Sequence, residues 1–104
     1  MKLLEGKNAI ITGAARGIGE GIAIKFAEHG CNVAFTYVSD SSADKAKALE
    51  EKLTAMGVKA KAYQSNAGDF AACEVFVNDV IKEFGAIDIC VNNAGISKDN
   101  QIGR

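Results

Sequence analysis

The chain has no proline and no tryptophan, a single histidine and only three cysteines in 104 residues. Each scarcity excludes something. Cys31, Cys73 and Cys90 are odd in number and far apart, with no CxxC pair, and the one histidine, His29, neighbours Cys31 alone, too few ligands for a metal. That argues against a disulfide framework or a zinc site, and for free, mostly buried thiols in a reducing cytoplasm. The one histidine, His29, falls in the last turn of an expected helix, where a cation favours the helix dipole. That role is the expected one, and no acid–base centre is expected there. Charge of one sign is also lacking. The formal net charge is −1, which leaves no electrostatic footprint for nucleic acid or an anionic membrane. No apolar run reaches the length needed to span a bilayer. The first residues, Met1 to Lys7, carry an acid and a glycine where a signal peptide would be apolar.

What is present is a hydrophobic content of 48% with 24% charged residues, the balance of a folded α/β protein. The length suits one domain or part of one. Short apolar runs alternate with helical periods. Asn8–Thr12 reads as a buried strand. Ile18, Ile22, Ala23, Phe26 and Ala27 then recur at helical spacing, with Gly30 as the stop. Val33–Val38 is a second strand. Ser41 with Asp44 resembles a capping box, opening a helix with Ala43, Ala46, Leu49, Leu53 and Met56 on one face and Gly57 at its end. Lys59–Gln64 is a weaker third strand. Asp69 caps a third helix whose stripe runs Phe70, Cys73, Phe76, Val77, Val80, Ile81 and Phe84, closed by Gly85. Ile87–Val91 is a fourth strand.

The order β-α-β-α-β-α-β, with strands apolar on both faces, predicts an α/β fold. The sheet is expected to be parallel and doubly wound, of Rossmann type, with strand order 3-2-1-4. The fourth strand is expected to be a long, apolar and unprotected edge, with one helix covering the second sheet face. Residues 1–104 therefore read as the first portion of a larger domain, and such a portion alone is expected to self-associate.

The most informative segment is Thr12-Gly13-Ala14-Ala15-Arg16-Gly17-Ile18-Gly19, directly after the first strand. A strand running through a glycine turn into a helix leaves backbone N–H groups facing outward, as a phosphate requires. Gly13 permits the sharp turn, Gly17 a close approach of the backbone to a pyrophosphate, and Gly19 close packing of helix on sheet. After the second strand, where an acid would bond the ribose 2′-hydroxyl of NAD, stands Tyr37-Val38-Ser39, with no acid until Asp40. Arg16 in the turn offers a cation to a 2′-phosphate and Ser39 a hydroxyl, which favours NADP(H) over NAD(H). Two alternatives stay open: Arg16 as a solvated surface charge, and Asp40 turned inward. Asn92-Asn93-Ala94-Gly95 follows the fourth strand, beside the switch point where open sheets bind ligands. Its small pair Ala94-Gly95 lets the chain pass close to an adenosine. Asn66, after the third strand, either offers donor and acceptor to adenine or forms the turn before Asp69. Tyr63 has no lysine spaced to lower its pKa on one helix face, and reads as packing.

The glycine segment, the Asn92–Gly95 tetrapeptide and the βαβ spacing between them resemble the short-chain dehydrogenase/reductase family. The resemblance covers the whole chain. Glu5-Gly6-Lys7, Phe84-Gly85-Ala86-Ile87-Asp88-Ile89 and Gly95 to Asn100 are similar to its bacterial branch that reduces 3-oxoacyl groups on acyl carrier protein in type II fatty-acid synthesis. The resemblance implies an NADPH-dependent, cytoplasmic, tetrameric parent enzyme. It implies that Gly13, Ala14, Ala15, Arg16, Gly17, Ile18 and Gly19 hold the pyrophosphate and ribose, and that Arg16 with Ser39 meets the 2′-phosphate. Asn66 and Ala67 would contact adenine, and Asn93, Ala94 and Gly95 the ribose. Many relatives have Asp where this chain has Asn66. The family's catalytic Asn, Ser, Tyr and Lys belong to later segments. Residues 1–104 are thus expected to bind cofactor without catalysing. Reduction of sugars, steroids or alcohols, or a non-catalytic nucleotide-binding role, are the alternatives.

Overall fold

Strands that are apolar on both faces must be covered on both faces, and the chain achieves this with helices between consecutive strands. The computed structural model describes residues 3–13, 17–65 and 70–92. Strands β1 (Asn8–Ile11), β2 (Asn32–Tyr37), β3 (Ala60–Gln64) and β4 (Ile89–Val91) form one parallel sheet in the order β3-β2-β1-β4. Helices α1 (Gly17–Glu28), α2 (Ala43–Ala55) and α3 (Phe70–Phe84) connect them. The expected fold class, element order and strand order are the observed ones.

Side chains alternate across a strand, so each strand serves two cores. Ile11, Val33 and Phe35 point to one face, where Ala23 and Ala27 of α1 and Ala46, Leu49 and Leu53 of α2 close over them. Ile10 and Ala34 point to the other, against Phe76 and Val80 of α3. Alanines on α1 let its backbone approach the sheet, while the leucines of α2 supply volume. Burying each large apolar side chain contributes about 1.5–3 kcal/mol.

The amino edge of the sheet is fixed by two asparagines. Asn8 donates its side-chain amide to the Ala86 and Phe84 carbonyls at 3.0 and 3.3 Å. Asn32 donates to Asn8 Oδ1 at 2.9 Å and accepts the Lys59 backbone N–H at 2.9 Å. These bonds tie together the entries to all four strands. The open edge of β3 is blunted by Glu50, which accepts the Ala62 backbone N–H at 2.7 Å, and by the charged Lys59 and Lys61. Lys59 pairs with Glu83 at 3.3 Å.

Several local expectations are corrected. The capping box at Ser41 and Asp44 does not form. A single 3-10 turn, Asp40–Ser42, precedes α2, and Ser42 at the cap makes no side-chain capping bond. The serine hydroxyls satisfy one another instead, Ser39 Oγ lying 2.8 Å from Ser41 Oγ and 3.3 Å from Ser42 Oγ. β4 is shorter than Ile87–Val91, because Asp88 turns to β1: its carboxylate accepts the Asn8 N–H at 2.9 Å and its own N–H donates to the Asn8 carbonyl at 2.8 Å. The edge is therefore not long. Ile18 leaves the helical stripe and stands 76% exposed. His29 lies just beyond α1, where its carbonyl accepts the Leu4 N–H at 2.9 Å. The thiols are not mostly buried: Cys31 is buried, Cys73 half-buried and Cys90 exposed. The Asp69 cap lies outside the described residues. Among the described residues no helix is long and apolar enough to cross a membrane.

Candidate functional site

The carboxyl ends of β1, β2 and β4 converge on the chain that leaves β1. Thr12 donates its backbone N–H to the Val91 carbonyl at 3.0 Å, extending the β1–β4 ladder by one residue. Its hydroxyl donates to Asn92 Oδ1 at 3.1 Å. From the other side, Thr36 of β2 accepts the Gly13 N–H on its hydroxyl at 3.0 Å. Thr36 is the buried polar residue among the described ones, 1% exposed. The turn is thus held between the two neighbours of the central strand.

The turn itself needs glycine. Gly13 has φ 69° and Gly17 φ 65°, a region L-residues with a Cβ adopt at a cost of about 1–2 kcal/mol. A Cβ on Gly17 would meet no atom within 4 Å. Conformation constrains that position from within the chain, and the space beside its backbone is open. Gly17 also begins α1, whose first N–H groups lack helical partners and carry the positive end of the dipole. Gly19, two residues on, is buried. Ile18 between them is exposed, an apolar side chain at the mouth of the turn.

The structure brings Gly13, Gly17, Ile18 and Gly19 together at the β1–α1 junction and places Ser39, exposed, just after β2. Ala14, Ala15, Arg16, Asn66, Ala67, Asn93, Ala94 and Gly95 lie outside the described residues. Sequence reasoning missed Thr36. Its signal was present, the one aliphatic hydroxyl in the run Val33-Ala34-Phe35-Thr36-Tyr37. It also missed the tie between Thr12 and Asn92, which no local pattern announces.

The remaining candidates play structural parts. Tyr63 sets its ring edge-on to Phe76, centroids 5.3 Å apart. Its hydroxyl is buried and, among the described residues, has no hydrogen-bond partner. Burial, then the nearby carboxylates of Glu83, Asp79 and Glu50, push its pKa up, opposite to what a proton donor at neutral pH requires. Burial, with Asp88 adding, raises the Cys31 thiol to about 11, so it is a poor nucleophile.

The sequence model of the short chain dehydrogenase family matches residues 7–104. The 3-oxoacyl-acyl-carrier-protein reductase FabG of Staphylococcus epidermidis is 45% identical over 98 residues, covering 94% of this chain and 39% of that protein. The NADP-dependent mannitol dehydrogenase of Alternaria alternata is 44% identical over 103 residues, covering 95% of this chain and 38% of that protein. Among solved structures, a blue fluorescent protein from a metagenomic library, in complex with NADPH, superposes with a TM-score of 0.86 at 45% identity, covering 89% of this chain and 38% of that one. A short-chain dehydrogenase/reductase from Serratia marcescens gives 0.83 at 41% identity, covering 89% and 37%. This chain spans 39% of the length of the reductase it matches. With a family match running through nearly all its residues and a doubly wound sheet that superposes on solved members, the chain belongs to the short-chain dehydrogenase/reductase family.

Proposed function

We propose that residues 1–104 form the NADP(H)-binding portion of an oxidoreductase, and that the parent enzyme reduces 3-oxoacyl groups carried on acyl carrier protein to their 3-hydroxy forms. The observation that carries the reading is the glycine turn fixed between Thr36 and Asn92. Its open flank at Gly17 suits a pyrophosphate that approaches the backbone closely.

In this reading Gly13, Ala14, Ala15, Gly17, Ile18 and Gly19 cradle the pyrophosphate. Arg16 and Ser39 hold the 2′-phosphate, Asn66 and Ala67 the adenine, and Asn93, Ala94 and Gly95 the ribose. The cofactor supplies the hydride. The chain's own part is to bind and orient it at the carboxyl edge of the sheet. In this reading the acid–base residues are supplied by other segments of the parent. A cytoplasmic, tetrameric parent completes the proposal. Support for the cofactor comes from the NADPH in the superposed blue fluorescent protein and from the NADP-dependence named for the mannitol dehydrogenase.

A second reading for the substrate, a polyol or ketohexose, is favoured by the 44% identity to that mannitol dehydrogenase. Both readings share the same cofactor portion.

Titration of the purified chain with NADPH and with NADH, followed by bound-cofactor fluorescence, tests the proposal. Tighter binding of NADPH, with the preference lost in Arg16→Ala, is expected. Binding of neither, or a preference for NADH, overturns it. The substrate is read from NADPH oxidation by the full-length gene product supplied with a 3-oxoacyl carrier protein or a ketohexose.

A further inference from the structure

Only one acid follows β2 closely in sequence. That residue, Asp40, is held by β3. Gln64, the last residue of β3, donates its side-chain amide Nε2 to Asp40 Oδ1 at 2.8 Å and to the Val38 carbonyl at 3.0 Å. The parallel register sets Gln64 opposite Tyr37, so its side chain reaches the segment leaving β2 from the neighbouring strand. Both bonds fall on residues that flank Ser39. The Ser39 hydroxyl makes its own contacts with Ser41 and Ser42, at 2.8 and 3.3 Å, and none with Asp40.

We propose that Gln64 is a positioning residue for cofactor selection: it holds the Asp40 carboxylate toward β3, away from the adenosine ribose. The inference rests on the NADP(H) reading and deepens it. A carboxylate at the end of β2 selects for NAD(H), since it accepts from a 2′-hydroxyl and repels a 2′-phosphate. Asp40 sits close enough in sequence to take that part. A neutral amide is the suitable restraint. Its two N–H groups satisfy one carboxylate oxygen and one backbone carbonyl. It does so without adding charge beside the site. Glutamate at 64 would repel Asp40, and leucine would release it. The side chains of Asp40 and Gln64 are exposed, so water competes with the bond and the effect is moderate, as for other single hydrogen bonds.

The test is the ratio of the NADH and NADPH dissociation constants in wild type, Gln64→Leu, Asp40→Asn and the double variant. Gln64→Leu is expected to lower the preference for NADPH by about three- to tenfold, the range of one such bond. Adding Asp40→Asn is expected to restore it. Gln64→Glu, of nearly the same size, should act in the same direction and guards against misfolding of the leucine variant. A role confined to folding would weaken both cofactors equally, leave the ratio unmoved and escape rescue by Asp40→Asn. That result, with wild type still preferring NADPH, overturns the inference and spares the cofactor reading. A wild-type chain that binds neither dinucleotide overturns both.

Discussion

The Thr12 hydroxyl donates to the side-chain oxygen of Asn92 at 3.1 Å, across 80 residues of sequence. The bond joins the residue that opens the glycine turn to the residue that opens the Asn92–Gly95 segment. Thr12→Val keeps the shape and removes the donor. We expect a loss of about 1 kcal/mol by urea denaturation, the usual net worth of such a bond, and weaker NADPH binding. Thr12→Ser keeps the donor and should retain most of both. Full stability and affinity in the valine variant would show that the two motifs are set independently.

Thr36 makes the complementary contact. Thr36→Val leaves the Gly13 N–H without its acceptor on the β2 side. Losing one such partly buried bond costs about 1 kcal/mol. The loss should appear in chemical denaturation, together with a larger fall in cofactor affinity than a surface substitution produces.

Gly17→Ala separates conformation from space. The added methyl meets nothing within 4 Å, but φ is 65°. Stability should fall by about 1–2 kcal/mol from backbone strain alone. Binding of NADPH should fall much further, because the methyl enters the space assigned to the pyrophosphate. Parallel small losses in both would mean that the open flank of the turn is not the binding surface.

Two buried groups set the alkaline limit. The Cys31 thiol is raised from 9.0 to about 11 in the folded chain, and the Tyr63 phenol is raised above its ordinary value of 10.0. Each favours the protonated form when folded. Their stabilising contributions are complete below the unfolded values and are lost as pH rises through the folded ones. The urea midpoint of wild type should therefore fall from pH 9 to 11. Cys31→Ala should flatten the first part of that fall. Tyr63→Phe, which removes a hydroxyl with no partner among the described residues, should cost nothing at pH 7 and remove part of the later fall.

The architecture was legible because period and punctuation agreed. The apolar runs predicted four strands. Gly30, Gly57 and Gly85 marked the helix ends, and all three have positive φ. The βαβ rhythm then left one default strand order. What escaped the sequence depends on partners distant along the chain. Asp88 shortens β4 by bonding Asn8, and the serines at 39, 41 and 42 bond one another in place of a capping box. Thr36 and Gln64 matter through Gly13, Val38 and Asp40, which neighbouring strands bring to them. Ile18 fitted a helical stripe by spacing, yet it lies on the first turn of α1, beyond the cover of α2 and the sheet.

The most direct test is an amide NMR titration of the nitrogen-15-labelled chain with NADPH. The account predicts that the Gly13, Gly17, Gly19 and Ser39 resonances shift together and saturate, while Asn8, Asn32 and Lys59 at the opposite edge of the sheet stay in place. Shifts centred on the amino edge, or none at saturating NADPH, would contradict it.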